Sequence, residues 1–287
     1  NKMNKLKIAI QKSGRLSEKS LELLRECGIN FPDFKSKLKN SATNFPLEIL
    51  FLRDDDIPKY VEQNIVHIGI LGENEVLEQD KDIKVIKKLG FARCRLSLAV
   101  TNDSDCNDLS YFKGKKIATS YPNILTKFFQ EQDFTPEITE ISGSVEIAPS
   151  IGLADAIADL VSSGGTLLHN GLKEVFEVLK SEAVLVSNTN LSPEILEILE
   201  RLLFRIQAVL NSRENKYILL NAPTKSLPQI INVLPGIKSP TVLPLADPEW
   251  SSIHSVVRES DFWEVIDELK KYGAEGILVI PIEKMVL

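Results

Sequence analysis

The sequence predicts an α/β protein: two sheet-containing lobes followed by a smaller ferredoxin-like domain. Three observations carry this. Short apolar runs alternate with helical patterns from residue 6 to residue 72, the rhythm of a mostly parallel sheet. The same rhythm restarts at about residue 94. After one long amphipathic stretch, the tail from 216 reads strand, helix, strand, strand, helix, strand.

In the first block, "LKIAI" (6–10) is a buried strand and "QKSGR" the loop after it. Ser17 is placed to cap a helix with Leu21, Leu24 and Cys27 at helical spacing, stopped by Gly28. "LEILFL" (47–52) is a second strand. It runs into "RDDDIPKYVE", where acids gather at a helix start as the helix dipole favours. "VHIGILG" (66–72) is a third strand.

In the second block, "CRLSLAV" (94–100), "KKIATS" (115–120), "PEITEIS" (136–142) and "ADAIADLV" (154–161) read as strands, and "EAVLVSN" (182–188) as one more. Helices fit at 122–132, where Pro122 suits a first turn, at about 144–151 and at 165–172. Residues 192–213 form the longest helical pattern. Ser192 caps it, Pro193 is N1, and Ile195, Leu199, Leu202, Ile206 and Val209 share one face. The expected organisation is one lobe from 1–95 with about 182–191, a second from 96–181, a connecting helix at 192–214 and a third domain at 215–287.

Composition narrows the function. The 287 residues suffice for a large core, and no apolar run approaches the roughly 18 residues of a membrane span. The start of the chain has too short an apolar stretch for a signal-peptide core, so a cytoplasmic location is expected. Three cysteines without C-x-x-C argue against a disulfide framework or a zinc site. His67, His169 and His254 are scattered. A net charge of −6 argues against a general nucleic-acid binder but leaves room for small polyanions.

The stretch "DLVSSGGTL" (159–167) draws attention. Its glycines let amides approach a ligand closely, and Ser162, Ser163 and Thr166 add hydroxyl donors around Gly164 and Gly165. Spacing alone leaves two readings open, a capped strand-to-helix turn or a phosphate cradle. It is no Walker A loop, since no G-K-[ST] follows. Asp159 and Glu146 ("GSVEIAP") would repel a bare phosphate but suit a ligand that also carries sugar hydroxyls. Lys12 and Arg15 in "QKSGR" and Arg53 in "LRDDD" stand at strand ends, where cations suit phosphates. Arg93 and Arg95 stand at a strand's start and count for less.

Together "QKSGRLS", "RDDDIP", "GILGEN", "RLSLA", "IATSYPN", "SGSVEIAP", "GLADAIADLVSSGGTL" and "PIEKM" resemble the ATP phosphoribosyltransferase family of histidine biosynthesis, end to end. The tail resembles the regulatory domain of its long form. The resemblance implies two catalytic lobes like those of type II periplasmic binding proteins, plus a C-terminal ferredoxin-like (ACT-like) domain. It implies transfer of phosphoribosyl from phosphoribosyl pyrophosphate to N1 of ATP, with Mg²⁺ carried mainly by substrate phosphates and no protein-only metal site. It also implies inhibition by histidine and AMP and a homo-hexamer built from dimers.

Residue by residue, the resemblance implies that Asp159 and Glu146 hold the ribose and that Ser162, Ser163, Gly164, Gly165 and Thr166 hold the 5-phosphate. Lys12, Arg15 and Arg53 face pyrophosphate or triphosphate oxygens. Gly72, Glu73 and Tyr121 are cleft candidates for ATP. "LLNAP", "PGIKSPT" and "GAEGI" point to Asn221, Ile237, Ser239, Thr241 and Gly276 as a histidine pocket. Some members carry Asp or His where Asn221 stands, and Ala where Gly276 stands. A plain two-lobed binding protein would not need the sugar-phosphate loop. Prephenate dehydratase would carry a Thr-Arg-Phe motif, which is absent.

Overall fold

A computed structural model describes residues 4–32, 38–234 and 236–287. The chain divides into two compact units, 1–22 with 29–198, and 23–28 with 199–287.

The first unit begins with β1 (Leu6–Gln11), α1 (Arg15–Glu26), β2 (Lys39–Ser41), β3 (Leu47–Leu52), α2 (Ile57–Glu62), β4 (Ile68–Gly72), α3 (Glu73–Gln79) and β5 (Ile83–Lys88). Next come β6 (Cys94–Thr101), β7 (Lys116–Thr119), α4 (Pro122–Gln130), β8 (Glu137–Glu140), β9 (Ala156–Val161), α5 (Gly165–His169), β10 (Leu172–Ser181) and β11 (Ala183–Asn188). The sheets run β2-β3-β1-β4-β11-β5 and β10-β6-β9-β7-β8.

Both sheets follow one plan. Three parallel strands, β3-β1-β4 and β8-β7-β9, have the earliest in the middle. Beside them lies an antiparallel strand that has just crossed from the other sheet, β11 and β6 respectively. This is the two-lobed plan of type II periplasmic binding proteins. In such sheets ligands bind outside the carboxyl ends of the parallel strands.

Leu6, Ile8, Ala9 and Ile10 are fully buried, as a central parallel strand with both faces covered requires. Ala9, Ile57, Val61, Val66 and Leu71 pack with Val184 and Val186. A Cβ on Gly69 would meet Ile57 Cγ2 at 2.6 Å, so glycine is what lets α2 lie this close to β4. The second sheet is filled by Leu96, Leu98, Val100, Phe112, Ile117, Leu125 and Phe129.

Three local expectations change. The first helix starts at Arg15, so Ser17 lies buried in its first turns rather than capping it. The stretch near 144–151 is one 3-10 turn, Val145–Ile147, followed by turns. The helix expected at 165–172 ends at His169, and β10 follows at once. Two breaks in register, between Glu174 and Phe176 and between Glu177 and Leu179, disturb the alternation that would have announced β10.

The second unit contains most of α6 (Pro193–Glu214), then β12 (Asn215–Pro223), α7 (Leu227–Val233), β13 (Thr241–Pro244), β14 (Trp250–Arg258), α8 (Phe262–Lys271) and β15 (Glu275–Pro281). Its antiparallel sheet, β13-β14-β12-β15, has the ferredoxin-like order. One face packs Ile218, Leu220, Ala222 and Ile253 against Ile230 of α7 and Leu269 of α8. Residues 23–28 join this unit. Arg213 pairs with Glu26 at 2.9 Å, and Arg205 donates to the Cys27 carbonyl at 3.2 Å.

Candidate active site

The carboxyl ends of the parallel strands place the predicted residues in two groups. On the first sheet β1 and β3 run in register, with Gln11 opposite Leu52, and Lys12 N–H donates to the Leu52 carbonyl at 2.8 Å. Lys12 and Arg53 therefore leave adjacent strand ends, and Arg15 opens α1 just beyond. All three are exposed. Arg53 is engaged: its Nε and Nη2 donate to the two Asp55 oxygens at 3.2 and 3.1 Å. An anion would have to share it with that carboxylate.

Gly72 ends β4 and precedes Glu73, the first residue of α3. Asn74 is buried and locked, its amide donating to Ser181 Oγ at 3.1 Å while that hydroxyl donates back to Asn74 Oδ1 at 2.8 Å. A side chain at Gly72 would collide with this carboxamide. Glu73 N–H donates to the Glu182 carbonyl at 2.9 Å, and its carboxylate meets Lys88 at 3.3 Å. Glu73 thus borders a cavity of about 620 Å³ that also reaches Lys88, Arg95, Ser162 and Lys180, residues of both sheets.

On the second sheet, β9 ends at Val161 and the loop opens at once. Ser162, Ser163, Gly165 and Thr166 are exposed. Gly164 adopts φ +82°, a left-handed conformation that costs glycine little and most other residues more. The first backbone bond of α5 is Leu168 N–H to the Gly164 carbonyl, at 3.2 Å. The amides of Gly165 and Thr166 precede that bond, where helix donors lack intrahelical acceptors.

Asp159 lies two residues before the end of β9, half-buried. Burial pushes its carboxyl above the usual range and nearby Glu146 adds to this, while the Leu160 N–H, donating at 2.8 Å, pulls the other way. The structure therefore brings Asp159 and Glu146 into electrostatic reach of each other. Tyr121 caps α4. Burial raises its hydroxyl, and Glu75, Asp159 and Asp54 reinforce the shift. Carboxylates of both sheets thus act on its hydroxyl.

Two residues here escaped sequence reasoning. Glu75 is raised by burial first and by Asp54 next. Glu78, nearly buried, accepts from the Asn123 and Ile124 amides at 2.9 Å each, bridging α3 of the first sheet to α4 of the second. Both look from the sequence like ordinary acids of a helical surface. Only contacts some 45 positions away along the chain reveal Glu78.

In the C-terminal unit, Asn221 and Gly276 are neighbours: a Cβ on Gly276 would stand 3.9 Å from Asn221 Nδ2. Thr241 lies opposite His254, and Asn221 opposite Ser252, so both point to the sheet face away from α7 and α8. His254 joins them there, accepting from or donating to Tyr217 Oη at 2.6 Å and Ser252 Oγ at 3.2 Å. Ile237 is 60% exposed and lines a separate cavity of about 340 Å³ with Asn215, Arg258 and Asp261. Asn215 is at the opposite end of β12 from Asn221. Ser239 is exposed on the segment before β13. Pro235, which opens the "PGIKSPT" stretch, lies outside the described residues.

No described helix is long and apolar enough to cross a membrane. The cysteines are free thiols; burial raises all three, and Cys27 is pushed up to about 12.

Residues 53–208 match the family model of ATP phosphoribosyltransferase, and residues 212–284 match that of the HisG C-terminal domain. An ATP phosphoribosyltransferase of Phocaeicola vulgatus is 56% identical over 282 residues, covering 98% of this chain and all of that one. One of Cytophaga hutchinsonii is 55% identical over 281 residues, covering 98% of each. Among solved structures, the ATP phosphoribosyl transferase (HisG:HisZ) complex from Thermotoga maritima is similar with a TM-score of 0.59 at 27% identity. The match spans 98% of that chain but 70% of this one.

Proposed function

The chain belongs to the ATP phosphoribosyltransferase family, and from that premise we propose how its cleft carries out the first step of histidine biosynthesis. The reaction transfers phosphoribosyl from phosphoribosyl pyrophosphate to N1 of the ATP adenine, giving N1-(5-phosphoribosyl)-ATP and pyrophosphate. The observation that carries the residue roles is the loop at the end of β9, with exposed hydroxyls and helix-start amides next to the half-buried Asp159.

Ser162 to Thr166 hold the 5-phosphate, while Asp159 and Glu146 accept from the ribose hydroxyls. Lys12, Arg15 and Arg53 meet the oxygens of pyrophosphate or of the ATP triphosphate. Gly72, Glu73 and Tyr121 border the ATP side. Adenine N1 carries a free lone pair near neutral pH, so attack needs no strong base. Positive charge grows at the ribose C1 as negative charge gathers on the departing pyrophosphate. Catalysis is therefore positioning plus electrostatic stabilisation: the loop and carboxylates hold the sugar while the cations receive the leaving group. The nearby carboxylates and hydroxyls are hard oxygen donors, which suit Mg²⁺ arriving on the substrate's pyrophosphate.

Inhibition by histidine belongs to the C-terminal unit, at Asn221, Thr241 and Gly276, with Ile237 and Ser239 on the adjoining segment. AMP competes in the cleft. The assembly is a homo-hexamer built from dimers in the cytoplasm. The Thermotoga maritima chain is described as a complex with a second protein. The C-terminal unit here supports a chain that carries its own regulation. Initial rates with ATP and phosphoribosyl pyrophosphate, followed by product absorbance with and without histidine, test the whole reading. Absence of turnover refutes the reaction. Unaltered histidine inhibition in Asn221→Ala refutes that residue's role.

A further inference from the structure

Beside the loop stands an arginine whose donors are already committed. Arg95 is the second residue of β6, opposite Val161 of β9 and Lys180 of β10. Its Nε donates to Glu174 Oε1 at 2.5 Å and its Nη2 to Oε2 at 2.6 Å, the two-pronged geometry in which Arg and carboxylate hold each other most firmly. Ser97 Oγ donates to the same Oε1 at 2.7 Å. Glu174 lies directly before a break in the register of β10, and such bulges re-aim side chains. The remaining arm, Nη1, donates to the Ser162 carbonyl at 3.4 Å.

That last contact has a consequence for the loop. A trans peptide is planar, so the Ser162 carbonyl and the Ser163 N–H point in opposite directions. Holding the carbonyl toward Arg95 keeps the Ser163 N–H on the other side. The peptide lies between two serines of an exposed loop, and the Arg95 arm is the contact that fixes which way it faces. A flipped peptide would offer a carbonyl where a phosphate needs a donor.

We propose that Arg95, held by Glu174 and Ser97, is a positioning residue: it fixes the Ser162–Ser163 peptide and thereby sets affinity for phosphoribosyl pyrophosphate. This rests on residues 159–166 being the phosphoribosyl loop. It assigns Arg95 no contact with substrate.

Simple electrostatics and the proposal predict opposite signs for one variant. Glu174→Gln removes a negative charge near an anion site, which by charge alone tightens phosphoribosyl pyrophosphate binding. If Glu174 holds Arg95 in place, the same change weakens it. Calorimetric titration of the full-length protein with phosphoribosyl pyrophosphate reads the sign. The expected result is a Kd raised about tenfold, since small misplacements of binding groups forfeit much of their contribution. KM for ATP should stay within about twofold. Arg95→Lys keeps the charge but loses the fork and should behave alike. The double variant should be no weaker than the worse single one, because members of one relay do not add.

An unchanged or tighter Kd in Glu174→Gln overturns the proposal, as does full additivity in the double variant. Should Glu174→Gln fail to fold, Ser97→Ala removes one bond of the relay; a Kd raised about threefold is expected, and an unchanged one overturns it. Thr166→Ala separates the two levels. Binding untouched in both Thr166→Ala and Glu174→Gln removes the loop assignment itself. Binding lost only in Thr166→Ala removes the relay and leaves the loop.

Discussion

Two helices of the second sheet start just past the carboxyl end of a strand, and they have been treated in opposite ways. α4 opens at Pro122 with no side-chain cap of its own from Tyr121. Its amides at Asn123 and Ile124 are taken by both oxygens of Glu78, and Asn123 Nδ2 donates back to the Glu78 carbonyl at 2.9 Å. α5 opens at Gly165 behind a glycine cap, with no side-chain cap either. Its loop stays exposed. A helix start is a ready anion site only while its donors remain available. The protein's own carboxylate fills one of the two and joins the sheets with it. The other keeps its loop exposed, as the proposed phosphate cradle requires.

The largest effect should come from Gly165→Val. A Cβ there meets only Ser163 Oγ, at 3.8 Å, so the fold has room for it. The added methyls would occupy the space above the amides. Affinity for phosphoribosyl pyrophosphate should fall on the order of a hundredfold, the scale of a misplaced binding group, with the melting temperature nearly unchanged. Calorimetric titration and a thermal melt check both halves. Unaltered affinity would erase the distinction between the two helix starts.

Thr166→Ala comes next. Losing one hydroxyl bond to a charged phosphate is worth about 1.4 kcal/mol, or roughly tenfold in KM for phosphoribosyl pyrophosphate. KM for ATP should move little. Equal shifts in the two constants would place Thr166 in general folding rather than in the cradle.

Glu78→Ala sharpens the comparison from the other side. Removing a cap costs about 1 kcal/mol, which lowers the melting temperature by about 2–4 °C for a unit of this size. The released amides should then respond to inorganic phosphate, which should raise the melting temperature of the variant more than that of the parent. Equal responses in scanning calorimetry would mean that α4 is no latent anion site.

The smallest effect at neutral pH concerns Asp159. Its carboxyl titrates above the usual range, chiefly through burial. Its ionised form, the one proposed to accept from ribose hydroxyls, is therefore lost, as pH falls, at a higher pH than an ordinary aspartate would show. The acid limb of kcat/KM for phosphoribosyl pyrophosphate should reflect this and disappear in Asp159→Asn. An acid limb that survives the substitution belongs to another group.

Much of the fold is legible because its signals are local. β1 and β3 announce themselves as apolar runs, α6 by its stripe from Ile195 to Val209, and the C-terminal unit by its order of elements. β10 stayed hidden because two register breaks disturb its period and because its partner β6 lies some 70 positions earlier. Side-chain pairing is hidden too, whether the partner is near in the chain or far. Arg53 reads as a free cation in "LRDDD", yet it folds back on Asp55. Arg95 reads as the wrong arginine at the wrong end of a strand, yet it reaches the loop.

By itself, then, the sequence determined the fold class and the family and marked 159–167 as a loop, because these rest on residue types and local spacings repeated along the chain. Only the tertiary structure decided which groups remain available to a ligand. Glu78 closes one helix start, Glu174 occupies the fork of Arg95, and burial lifts Asp159. The physical reason is common to all three: whether a donor or a charge is free depends on what packs against it, and folding brings those partners from distant parts of the chain.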